Sequence, residues 1–81
     1  MEQTLTPEEI AQNYSAALDS VSLINDIIAG TQMAEDTAED KKACVERNVG
    51  HLGIMVAKDY WQGQDMDPLV DAIAAGQNYI A

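Results

Sequence analysis

Apolar residues recur at helical spacing in three stretches of the chain. In the first, Ile10, Tyr14, Ala17, Val21, Ile24 and Ile28 follow in alternating steps of four and three, the stripe of an amphipathic helix. Leu18 and Ile27 widen that stripe to a face fit for two neighbours. Thr6-Pro7-Glu8-Glu9 supplies a start: Thr6 accepts from the N3 amide, Pro7 suits N1, and Glu9 reaches back to the cap. The two acids also lie at the positive end of the helix dipole. Gly30 follows the last apolar residue and is a natural stop. The pattern predicts a helix over about residues 7–29, with Ser20 and Ser22 marking where a kink would fall.

Residues 30–36 form a connection short enough to return the next helix antiparallel. Asp36 or Thr37 caps it, with Glu39 or Asp40 as the reciprocal acid. The stripe Val45, Asn48 or Val49, Leu52, Met55 or Val56, and Tyr60 predicts a helix over about residues 37–62, ended by Gly63. Gly50 and Gly53 lie inside it, and each costs about 1 kcal/mol relative to Ala. With Ala43 and Ala57 they form a strip of small residues, whose physical use is either close approach by another helix or a kink. Asp65 or Asp67 caps the third helix, with Pro68 in its first turn. Leu69, Val70, Ile73, Gly76 or Gln77, and Ile80 carry its apolar face over about residues 67–80. Gly76 is a point for an early stop, which would leave Tyr79 and Ile80 as an anchored tail. With no alternating β-type run, the expected fold is all-α: a single three-helix domain over residues 1–81, with two long antiparallel helices and a shorter C-terminal one.

Composition adds a size limit. The chain has 81 residues, 47% of them apolar, so there is a core to bury. A domain this small buries only about 60% of the surface its unfolded chain exposes. A third helix of about 10–13 residues also cannot cover two helices of about 35 Å along their length. An apolar face should remain, which favours a homodimer or a complex with another protein.

Charge narrows the partners. Residues 1–40 hold nine acids and no Lys or Arg; residues 41–58 hold Lys41, Lys42, Arg47 and Lys58 against Glu46 alone; residues 59–81 hold four acids and no base. The net charge of −10 opposes direct binding to nucleic-acid phosphate or to an anionic membrane. The basic middle either neutralises the acidic arms by packing between them, or leaves an anionic surface for a protein partner with a basic surface. No apolar run approaches the roughly 20 residues that cross a bilayer. The first residues, MEQTLTPEEI, lack the pattern of a secretory signal, so the expected location is cytoplasmic.

Candidate chemistry is sparse. Cys44, Arg47 and His51 share one side of a helix, but the thiol and the imidazole are seven residues apart, about 10 Å along the axis and too far for a direct hydrogen bond. No other Cys or His completes a metal site. The acid pairs Glu8-Glu9, Glu35-Asp36 and Glu39-Asp40 fit no calcium loop, and two of them fall where helix caps are wanted. No catalytic residue, cofactor or metal is therefore assigned, and an enzyme is not expected. Tyr60-Trp61 carries more information, because Trp and Tyr dominate binding hot spots. Adjacent helical residues point about 100° apart, so one of the two should plug the core and the other stay partly exposed or cover an interface, the alternative being a core role for both in a curled bundle. The segment 57–67 is the candidate contact surface, with Tyr60, Trp61 and Met66 inside it and Ile54, Met55 and Leu69 flanking it as the candidate interface residues.

The stretch from Asn48 to Ile80 reads N-V-x-H-L-x-I-M-x-A-K-D-Y-W, then D-M, then A-I-A-A-G-x-x-Y-I. It resembles the C-terminal half of small uncharacterised proteins of tailed bacteriophages. That resemblance implies a protein acting in the bacterial host's cytoplasm, or a minor structural or assembly component of a phage particle, and carries no site residues with it. The leading expectation is a non-catalytic protein-interaction module, a phage accessory protein that binds or inhibits a host protein. The alternative is an acidic DNA mimic that inhibits a nucleic-acid-binding protein.

Overall fold

Helices form where the three apolar stripes run: α1 (Pro7–Ala29), α2 (Ala38–Val56) and α3 (Asp67–Ile80). A computed structural model of the protein describes residues 5–61 and 63–81, and no strand occurs among them. Every helix packs on the other two, giving an all-α three-helix domain of 43 × 20 × 19 Å.

The start of α1 is a reciprocal cap. The Thr6 hydroxyl accepts from the Glu9 amide at 3.2 Å, and the Glu9 carboxylate accepts from the Thr6 amide at 3.1 Å. The helix runs unbroken through Ser20 and Ser22. It closes where Gly30 turns left-handed, at φ 85°. There the Gly30 amide donates to Ile27 O at 3.1 Å and the Thr31 amide to Asp26 O at 2.9 Å, the paired bonds that satisfy a helix's last carbonyls. Thr37, not Asp36, caps α2, its hydroxyl accepting from the Asp40 amide at 3.1 Å.

The end of α2 departs from the sequence expectation. The helix stops at Val56 rather than near residue 62, and Gly63 sits in a later turn at φ 89°. The cause is Trp61. The chain turns back at residues 57–60, and the indole Nε1–H donates to Met55 O at 2.9 Å in a buried bond, to a last-turn carbonyl that also accepts from the Lys58 amide at 3.1 Å. α3 starts from Met66 with no side-chain cap, so neither Asp65 nor Asp67 caps it; Asp65 only accepts from the Asp67 amide at 3.1 Å just ahead of the helix.

Gly76 does not stop α3, which continues to Ile80. It is a point of close approach of α3 to α2: a Cβ there would overlap Val49 Cγ2 and lie 3.1 Å from Val45 Cγ1. Gly50 and Gly53 serve no close approach within the subunit. α2 continues without a break through both, and a Cβ at either would meet nothing within 4 Å.

The core comprises Ile10, Ala17, Val21, Ile24 and Ile27 from α1, Val45, Val49, Leu52 and Met55 from α2, Leu69 and Ala72 from α3, and Trp61. Two stripe positions shift by a residue or more. Ile27 is inside while Ile28 is 40% exposed, and Ala72 is inside while Val70 is 48% exposed. No polar or charged side chain is buried among the described residues.

Candidate functional site

The aromatic corner is built from three elements. Trp61 turns under the end of α2 and meets Tyr14 of α1 edge-on, with ring centroids 6.1 Å apart and planes at 67°. Tyr60 lies against the indole at 4.9 Å. Two polar contacts tie this strand of loop to α1: Tyr14 donates its hydroxyl proton to Asp65 O, and Asn13 Nδ2 donates to the Tyr60 hydroxyl at 3.4 Å. The result is a plug that closes one end of the bundle.

That placement redistributes the six residues expected at a contact surface. Trp61, Met55 and Leu69 are core residues, with Leu69 fully enclosed. Tyr60 and Met66 are half-buried and pack against the core. Ile54 alone stands out, at 64% exposure the most exposed large apolar side chain described. A chain this short has few large side chains with which to fill its interior, and its one Trp is used there.

Ile54 belongs to a different surface. On the outer side of α2, Ala43, Arg47, Gly50 and Ile54 follow in steps of four and three, and Ala57 continues the line just past the helix end; all five are exposed. Gly53, Glu46 and His51 flank them and are exposed as well. The strip of small residues is therefore real, but it faces outwards around a single branched apolar side chain. On the outer side of α1, Glu8, Gln12, Ser15, Asp19, Ser22 and Asp26 form an equally exposed line of acids and small polar groups. The same helical spacing that marks the apolar side of α1 marks this polar line as well.

The remaining candidates come together nowhere. Cys44 is half-buried and His51 exposed, and the Cys44 carbonyl accepts from Asn48 Nδ2 at 2.8 Å. Among the described residues there is no enclosed cavity and no group of three or more His, Cys, Asp or Glu able to share a metal ion. No helix is long and apolar enough to cross a membrane. No family model, curated protein or solved structure matches the chain.

Proposed function

We propose that the protein is a non-catalytic protein-interaction module whose docking element is the outer face of α2. One observation carries this reading: two glycines, each costing about 1 kcal/mol of helix stability, sit beside an exposed Ile54, and no contact inside the subunit makes use of the space they leave. A partner helix can approach α2 closely over Gly50 and Gly53 and cover Ile54, which would give a function to an arrangement that is otherwise only destabilising. The likeness of residues 48–80 to small proteins of tailed phages supports an accessory role towards a bacterial protein, exerted by binding in the host cytoplasm. The DNA-mimic alternative is weaker. The acids along the outer line of α1 are 11 and 7 residues apart, about 16 Å and 10 Å, far sparser than the charge of about one per 1.7 Å of duplex.

The test is affinity capture from bacterial lysate with the natural chain and with Ile54→Glu, at low and at high salt. The natural chain should retain a partner at both, because apolar docking is little screened. Ile54→Glu should lose it while keeping the same helicity by circular dichroism. Equal retention by both chains would sink the reading.

A further inference from the structure

We infer that the face just described also accepts a second copy of the chain, with α2 of each subunit lying along α1 of the other; this rests on the docking role proposed for α2. The same molecule presents two complementary lines. Glu8 and Asp19 are eleven residues apart on the outer side of α1, and Arg47 and Lys58 are eleven residues apart along α2 and its first following turn. Glu8 to Asp19 is about 16 Å at helical rise, and Arg47 to the helix end at Val56 is about 14 Å with Lys58 in the turn that follows, so an antiparallel pairing brings Asp19 to Arg47 and sets Lys58 near Glu8. Asp26 then falls within about two residues of Lys42. All six of these charged residues are exposed.

The register needs no adjustment. Ala29 ends α1 and Ala38 begins α2, so residues whose numbers add to about 67 stand at similar heights in the hairpin. Asp19 with Arg47 satisfies that relation, and Lys58, two residues past the end of α2, stands at the end of the bundle where α1 begins with Glu8. A twofold axis parallel to the helices preserves height and sets α2 of one subunit antiparallel to α1 of its partner, so each charged pair forms twice. The steric pattern agrees. Gly50 comes level with Ala16, and Ile54 comes level with Ala11 and Gln12, where α1 offers small or flexible side chains.

Two helices wide and about 28 Å long, such a face covers about 500–600 Å² per subunit, near the lower limit for a specific interface. The pairing is accordingly weak, with a dissociation constant between about 1 µM and 1 mM. Two bodies of net charge −10 repel at long range, which places the attraction in the local pairs and the apolar contact.

Sedimentation equilibrium over that concentration range tests the arrangement, with circular dichroism as the check on folding. Asp19→Lys or Arg47→Glu alone should raise the dissociation constant about tenfold, because each reversal sets two repulsive pairs in place of two attractive ones. The double variant should return to within about threefold of the natural chain. Glu8→Lys with Lys58→Glu forms a second, independent cycle should either of the first variants fold poorly. A natural chain that stays monomeric throughout, or a dimer indifferent to the single reversals or not recovered by the doubles, would overturn the inference. A monomer that still captures a lysate partner through Ile54 would leave the proposed function standing without it.

Discussion

At the scale of single residues, three helical glycines separate into two kinds that look alike in the sequence. Gly76 lies with α3 backbone against Val49 and Val45, and Gly50 and Gly53 open onto nothing within 4 Å. Gly76→Ala should therefore destabilise the protein by about 1–3 kcal/mol through overpacking, since Val49 Cγ2 occupies the space the methyl would need. Gly50→Ala should stabilise it by about 0.5–1 kcal/mol, the helix propensity of Ala over Gly with no steric term against it. Urea unfolding at a dilute, monomeric concentration reads both, and the same sign at the two sites would contradict the packing. Sequence patterning states the cost of a helical glycine but not what stands opposite it. That is why Gly76 read equally well as a stop or as part of the apolar face, and why the close approach was sought at Gly50 and Gly53.

The elements were legible where their signals are local. Thr6, Glu9 and Gly30 sit within a turn of the ends they define, and both ends of α1 follow from them. The end of α2 was not, because its determinant is a contact made six residues away. Val56 and Tyr60 continue the apolar spacing, so the pattern alone carries the helix on to Gly63. What turns the chain at Val56 is the indole of Trp61 reaching back to Met55 O and wedging against Tyr14, and neither bond leaves a periodic trace. Trp61→Phe keeps most of the apolar volume and removes the Nε1–H. It should cost about 1–2 kcal/mol, with the loss concentrated in the last turn of α2 and the following loop. Hydrogen exchange should show faster amides at Gly53–Lys58 and little change in α1; uniform acceleration along the chain would mean that Trp61 acts only as core volume.

The whole molecule explains why most of the residues expected at a contact surface lie inside the subunit. Trp and Tyr weigh heavily in interfaces, which pointed to the aromatic corner, but a small domain must first close its own interior with the large side chains it has. Exposure then falls to Ile54 on the outer face of α2, and in the docking role proposed for that face the charges around it are what would distinguish partners. The same charges act on folding. Fourteen acids against four bases on a surface 20 Å across repel one another more than they attract, and this repulsion is released when the chain expands. Raising salt from about 10 mM to about 150 mM shortens the screening length from about 30 Å to about 8 Å, less than half the width of the bundle. The melting temperature at dilute concentration should therefore rise with added sodium chloride, by about 4–8 °C for each kcal/mol of repulsion removed. Arg47→Glu, two charges more negative, should melt lower than the natural chain at low salt and converge on it at high salt. A melting temperature that falls with salt in the natural chain would instead mean that attractive pairs between the basic middle segment and the acidic arms dominate the folded state.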